Sequence, residues 1–268
     1  LKKMSQQYKL NYSSVEELWG EGVKDVTVGH LLNMTSGIPD WDTANPAHNG
    51  QPATDPLRAE LYASPDHDFA PHELLGVPWV YIKRLIYPPG SRQYYSSTNF
   101  ILLGFMLAQH ADADNWDSLD QKALLPDTLQ QYMNESVHFA SHGDPHNFTA
   151  VHGFDRTAYN GHDPSNTPGT DVYNVNGVFA GWTASNIVMD ALTGARMGYD
   201  IYGPEYKALK KETVQAMLPT NKTTVHDNKT YTYTNWYGLA TFDMKQYGYP
   251  VEAYGHLGAT YGFQSLVV

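Results

Sequence analysis

Val26-Thr27-Val28-Gly29-His30-Leu31-Leu32-Asn33-Met34-Thr35-Ser36-Gly37-Ile38-Pro39 reads as one short helix complete with its cap and its stop. Thr27 can cap the first turn, Leu31, Leu32 and Met34 supply an apolar face, and the Ser36-Gly37-Ile38-Pro39 turn ends it. Further on, Pro88-Pro89-Gly90 forces a turn that delivers Tyr94 and Tyr95 to its far side, followed by Ser96-Ser97-Thr98-Asn99-Phe100. Asn99 to His110 is apolar nearly all round and predicts a buried helix.

Working outward, Lys2 to Lys9 reads as the end of a helix already under way, and Val15, Leu18 and Trp19 form a short apolar face. Residues 42–68 and 138–170 are rich in Gly, Pro, Asp, Asn and His and read as long surface excursions. Pro71 to Leu85 has helical spacing broken at Pro78, and Ser118 to Met133 is an amphipathic stretch split at Pro126. Thr183 or Ser185 can cap a helix through Leu192, and Pro204 sits where a first-turn proline belongs in a helix to about Leu218. Tyr231 to Phe242, Val251 to His256 and Phe263 to Val268 carry aromatic and β-branched residues in extended patterns. Ending on apolar Leu266-Val267-Val268 would leave an unsupported strand edge, so the fold is expected to be incomplete at both ends.

The bulk properties narrow the function. At 268 residues with 41% hydrophobic content, the chain can bury one sizeable core. Seventeen Lys and Arg against 28 Asp and Glu give a net charge of -11, which speaks against nucleic acid, whose backbone is bound through basic side chains. No apolar run approaches the roughly 20 residues of a membrane helix. Cysteine is absent, excluding disulfides and thiol chemistry. Asn11, Asn33, Asn134, Asn147, Asn221 and Asn228 each begin an Asn-x-Ser/Thr triplet. This points to a secreted glycoprotein or one held in the secretory lumen, with Asn33 set apart as structural because it lies inside an apolar helical run.

The residues quoted above resemble the class C β-lactamase and D-alanyl-D-alanine carboxypeptidase family. Later landmarks agree in order: His152-Gly153-Phe154, Ala180-Gly181-Trp182 with Thr183-Ala184-Ser185, and His256-Leu257-Gly258-Ala259-Thr260-Tyr261-Gly262-Phe263. The resemblance spans nearly the whole chain. It implies an α+β fold, an antiparallel sheet flanked by helices in a single domain over 1–268. A mostly helical and loop subdomain over about 40–175 would be set between the α/β parts 1–39 and 176–268. It also implies a cleft between them and no cofactor.

The family's nucleophile lies in a Ser-x-x-Lys, and no serine of this chain is followed three positions later by lysine. By the family's helix placement the expected serine lies about ten residues before Leu1. The catalytic candidates within the chain are Tyr95, Ser97 and His256. A serine hydroxyl needs a base, and a phenol serves as base or relay when nearby positive charge stabilises its phenolate. Ser97, where many relatives carry asparagine, is expected on extended backbone facing the same side as Tyr95. His256 stands where the penicillin-recognising members carry lysine. A neutral imidazole offers one hydrogen bond in place of a permanent cation, which disfavours strong β-lactam hydrolysis and resembles the esterase and aminopeptidase branches. Gly258 would let substrate approach, and the Ala259 amide would complete an oxyanion hole with that of the serine.

A metal site is a weaker reading of His138, His142, His146 and His152, because Gly143 and Pro145 break the helix their spacing needs. Two function classes stand: a serine hydrolase acting on a small-molecule or peptide acyl substrate, its nucleophile outside this chain or on a separate N-terminal segment, and a catalytically silent relative serving as a binding or structural glycoprotein.

Overall fold

In the computed structural model, whose described residues are 1–42, 56–156, 169–226 and 229–268, the amino-terminal part is helical. It comprises α1 (Lys2–Tyr8), α2 (Val15–Trp19) and α3 (Val28–Leu32). Ser14 caps α2 by accepting from the Glu17 amide, and Thr27 caps α3 with a reciprocal pair of bonds to His30. Asn33 forms the carboxyl cap of α3, just outside the helical run assigned to it. Next come α4 (Pro56–Ala63), α5 (Pro71–Gly76), the long α6 (Thr98–His110) and the single turn α7 (Asp127–Gln130). Helix α5 stops before Pro78, as the proline requires.

The strands are antiparallel throughout. β1 (His138–Phe139) pairs with β4 (Ile187–Val188), and β2 (Phe154–Asp155) with β3 (Thr170–Asp171). β5 (Asn221–His226) and β6 (Lys229–Thr234) form a hairpin, while β7 (Phe242–Asp243), β8 (Tyr254–Thr260) and β9 (Phe263–Val267) form a three-stranded sheet in that order. Helix α8 (Ala191–Tyr202) packs against β8 and β9, and α9 (Lys211–Met217) follows it.

Four sequence expectations are corrected here. The helix placed through Leu192 instead begins at Ala191, capped by Asp190 accepting from the Thr193 amide. Thr183 and Ser185 belong to a short 3-10 turn and the extended residue after it, and Thr183 Oγ1 donates to the Phe100 carbonyl at 2.8 Å. Pro204 lies in a turn, and its helix starts only at Lys211. The amphipathic stretch Ser118 to Met133 condenses to the one turn of α7, since Asn115 and Asp120 side chains satisfy the neighbouring amides locally and compete with a helix. In α6 the face of Ile101, Gly104 and Ala108 is buried, whereas Met106 and Leu107 on the other side are exposed.

Two apolar clusters matter for the site. The larger gathers Leu18, Trp19, Leu61, Leu74 and Ile101 from the helices and Ile38 from the turn after α3. The smaller is built from Met34, Tyr237, Phe242 and Met244, with Tyr95, Phe100 and Leu257 packed against it. Burying such side chains stabilises the fold by about 1.5–3 kcal/mol each.

Among the described residues no helix is long and apolar enough to cross a membrane. Asn11, Asn134 and Asn147 are exposed, with the Ser136 hydroxyl donating to Asn134 Oδ1 at 2.6 Å. Asn33 is half-buried and its sequon partner Thr35 is buried, donating to Asn33 Oδ1 at 2.6 Å. Asn221 begins β5, and Asn228 lies outside the described residues.

Candidate active site

Two segments far apart in sequence are riveted together to present Tyr95. The Gly90 amide donates to the Thr35 carbonyl and the Tyr94 amide to the Met34 carbonyl, each at 2.8 Å, while the Ile86 amide reaches the Gly37 carbonyl at 2.7 Å. Gly37 has φ +76°, and a Cβ there would lie 2.0 Å from the Tyr87 carbonyl oxygen, so this closeness needs glycine. Below Tyr95, the Ser96 hydroxyl donates to the Pro39 carbonyl at 3.2 Å, and the Ser97 amide to Asp40 Oδ1 at 2.8 Å. The Ser36 hydroxyl donates to the Oδ1 of fully buried Asn99 at 2.7 Å, and the Trp41 amide to Thr98 Oγ1 at 3.0 Å. The hydroxyl-rich run after Tyr95 is thus spent on the Ser36 to Trp41 turn.

Ser97 departs from its expected conformation. It has helical φ and ψ of -61° and -23° at the start of α6, not extended backbone. Helix nucleation beside buried Asp40 wins over strand geometry. A turn of chain, and not alternation along a strand, brings the Ser97 side chain near the Tyr95 phenol.

Tyr95 and His256 converge. Their ring centroids lie 6.4 Å apart, and Tyr95 is framed by Trp236 at 6.4 Å, Tyr237 at 5.8 Å and Phe242 at 6.2 Å. Both residues are half-buried, so the pair reaches solvent. Burial first, and then the carboxylates Asp40 and Asp42, push the Tyr95 phenol above its ordinary range, with the Ser97 contact acting weakly the other way. The phenol is therefore a proton donor in its described surroundings.

His256 is held at both nitrogens. Nδ1 lies against the Leu257 carbonyl, and Nε2 is 2.9 Å from the hydroxyl of Tyr237. A carbonyl can only accept, so Nδ1 carries the proton and Nε2 accepts from Tyr237. Burial lowers the imidazole's pKa, the Leu257 contact opposing it, and the ring is neutral at pH 7. Tyr237 had no signal in the sequence reading: its aromatic run was assigned to strand packing, and only the fold brings residue 237 to residue 256.

Beyond His256 the strand offers backbone. The two-residue Tyr261-Gly262 turn closes on Thr260 and Phe263, which pair directly, as do Gly258 with Ser265 and His256 with Val267. These are the pairs that exchange hydrogen bonds, so the amides of Leu257 and Ala259 point to the opposite edge of β8. β7 covers that edge only at Tyr254 and Gly255, which leaves the exposed Ala259 amide with no strand partner among the described residues. At Gly258 the space a Cβ would fill is taken by Ser265 Oγ, 2.2 Å from it, so this glycine makes room for the neighbouring strand.

The histidines once weighed as metal ligands have separate partners. His142 contacts Asp117 at 2.7 Å and Asp68 at 3.7 Å, His152 pairs with Asp171 at 2.9 Å, and the rings of His138 and His146 pack on Phe148 and Tyr173. Two cavities, about 250 and 590 Å³, lie elsewhere; neither is lined by Tyr95, Ser97 or His256. The larger is lined by Ser64 and His67, and His67 is paired with Glu73 at 3.3 Å.

Solved structures share this arrangement of the chain. A D-stereospecific amidohydrolase from Streptomyces sp. superposes with a TM-score of 0.63 at 17% identity, over 98% of this chain and 72% of its own. A D-amino acid amidase from Ochrobactrum anthropi SV3, complexed with L-phenylalanine amide, gives 0.58 at 17%, over 97% of this chain and 66% of its own. The penicillin binding protein from Bacillus halodurans gives 0.53 at 16%, over 98% and 70%. The chain thus spans about two thirds of the amidase's length, and at these identities the likeness is one of fold. Among curated proteins no sequence matches it. The model of the family described as Beta-lactamase matches residues 9–268, and with nearly its whole length covered the chain belongs to the Beta-lactamase family of serine hydrolases.

Proposed function

We propose that this chain carries most of the cleft of a serine hydrolase that acts through an acyl-enzyme on an amide or ester, its nucleophile supplied by a Ser-x-x-Lys preceding Leu1. The observation that carries this reading is the convergence of Tyr95 on His256, ring centroids 6.4 Å apart, beside the strand whose Ala259 amide has no strand partner among the described residues. In the first step the serine oxygen bonds the acyl carbon as its single proton passes to the neutral amine of the lysine. The bond to the leaving group then breaks as Tyr95 donates its proton to the departing nitrogen or oxygen and takes the serine's proton from the lysine in exchange. Water repeats the sequence to release the acid and restore the serine. The Ala259 amide, with that of the serine, would hold the developing oxyanion.

Amide substrates are favoured over β-lactams because His256 is neutral where a carboxylate-binding cation would be needed, and the amidase names among the structural neighbours agree with that choice. A secretory location, with glycans on exposed Asn11, Asn134 and Asn147, belongs to the same proposal. It is checked by the mass lost on enzymatic deglycosylation of protein from the native source.

One observation favours a catalytically silent relative: burial, and then the carboxylates Asp40 and Asp42, hold the Tyr95 phenol protonated. A fluorophosphonate probe on the full-length protein decides. The hydrolase reading expects one labelled serine upstream of Leu1, followed by turnover in a panel of D-amino-acid amides, short acyl esters and a chromogenic cephalosporin. Absence of an upstream Ser-x-x-Lys together with no labelling leaves the binding reading in its place.

A further inference from the structure

Tyr237 is fully buried, at the centre of the small cluster under Tyr95, and its hydroxyl meets Nε2 of His256 at 2.9 Å. The ring of His256 stands edge-on to it, with centroids 5.7 Å apart and planes at 86°, a geometry that points the phenol at one nitrogen. The other nitrogen is fixed by the Leu257 carbonyl, which leaves one tautomer compatible with both partners.

We infer that Tyr237 is a positioning residue that, as second anchor of the ring beside the Leu257 carbonyl, holds His256 in its neutral, Nδ1-protonated form, so that this wall of the cleft offers no imidazole N–H to a substrate and selects neutral-ended acyl substrates over those bearing a carboxylate there. The inference rests on the hydrolase reading for its substrate half and on geometry alone for its tautomer half. Chemically, a carboxylate brought against His256 would meet a lone pair already taken by a phenol and gain neither a cation nor a donor, while losing water. An amide or ester end brings no charge to be compensated. Tyr237 cannot yield the point by ionising: burial, with Tyr95 and Tyr202 nearby, pushes its phenol well above its ordinary range. Among the described residues the other titratable groups facing this pair are the phenols of Tyr95 and Tyr202, with Asp40, Asp42 and Tyr247 acting on Tyr95.

The experiment uses full-length protein labelled with 15N-histidine, the His256 signals being assigned by their loss in His256→Gln. In the wild type the shifts should report a protonated Nδ1 and a bare Nε2. In Tyr237→Phe, which keeps the ring and removes the donor, the imidazole is anchored at Nδ1 alone and can turn off the Leu257 carbonyl, so Nε2-protonated imidazole should appear, and the kcat/KM preference for a peptide carboxamide over the matching free carboxylate should fall about tenfold, through the KM of the carboxylate. Tyr202→Phe is the control, since it deletes a phenol hydroxyl that bonds Thr241 Oγ1 at 3.0 Å and leaves His256 untouched. It should move neither reading. An Nε2-protonated wild type, or a Tyr237→Phe tautomer identical to wild type, overturns the inference whatever the activity. A tautomer that behaves as expected in a protein with no turnover and no probe labelling sinks the hydrolase reading and leaves the positioning role standing. Unchanged selectivity in an active Tyr237→Phe overturns the substrate half.

Discussion

The Ser97 amide donates to Oδ1 of Asp40 at 2.8 Å, with the carboxylate almost wholly buried, and this bond joins the start of α6 to the turn that follows Pro39. Asp40 also accepts from the Asp42 amide at 3.3 Å and adds to the field that keeps Tyr95 protonated. Replacing it by alanine leaves a buried amide unsatisfied, at a cost of about 1–3 kcal/mol. Asp40→Asn, which keeps an acceptor oxygen, should recover most of the loss. Urea unfolding of the two variants reads the difference; equal midpoints for both would show that the acceptor is not what matters.

Much of this arrangement was legible in the sequence, for reasons that differ by residue. Thr27, Gly37 and Pro78 announce a cap, a left-handed turn and a helix stop because each acts through its own backbone. The ordered landmarks from Val26 to Phe263 gave the family because their spacing encodes one chain path. Ser97 was misread because its backbone is decided by Asp40, which local pattern does not show as a partner. The helix starts at Ala191 and Lys211 were missed because Thr183 is engaged by the Phe100 carbonyl and Pro204 by a turn. Tyr237 was invisible as a site residue because its bond to His256 exists only after β8 has folded against its cluster.

Gly37 is the most confined position of the frame. Gly37→Ala forces a side chain into φ +76° and sets its Cβ 2.0 Å from the Tyr87 carbonyl oxygen, which belongs to backbone and cannot swing aside. The left-handed conformation alone costs about 1 kcal/mol, and displacing the Tyr87 segment adds to it, so a total of at least about 2 kcal/mol is expected. The displaced segment leads to Tyr95, so probe labelling of the upstream serine should fall with stability. A variant as stable as wild type by thermal unfolding contradicts the tight pairing of Thr35–Gly37 with Ile86–Gly90.

Tyr95→Phe separates chemistry from packing. The phenyl ring retains its contacts with Trp236 and Phe242, so the melting temperature should hold, while the hydroxyl that moves the proton is gone. A loss of about 10²–10⁴-fold in acylation rate is expected for removal of a general acid–base group. Stopped-flow acylation of full-length protein gives the number. A loss below threefold would assign the proton relay to another group.

Acid should weaken the fold through two histidines held neutral. His256 and His72 both have pKa values lowered by burial from an ordinary 6.5; His72 stacks on Tyr8 at 4.2 Å and its Nδ1 has no hydrogen-bond partner among the described residues. Because the folded-state values lie below the unfolded ones, the unfolded chain takes up protons first as pH falls. Their contribution is complete above pH 6.5 and declines below it towards the folded-state values. Carboxylates with lowered values, such as Asp171 and Asp190, act only from about pH 3.8 downwards and leave this window clear. Urea midpoints from pH 8 to 5 should fall more steeply below 6.5 in wild type than in the His72→Gln/His256→Gln double variant, which has nothing to titrate at these positions. The comparison rests on slopes, so a lower absolute stability of the variant does not disturb it, and parallel slopes would mean that both imidazoles are as easily protonated in the folded protein as in the unfolded chain.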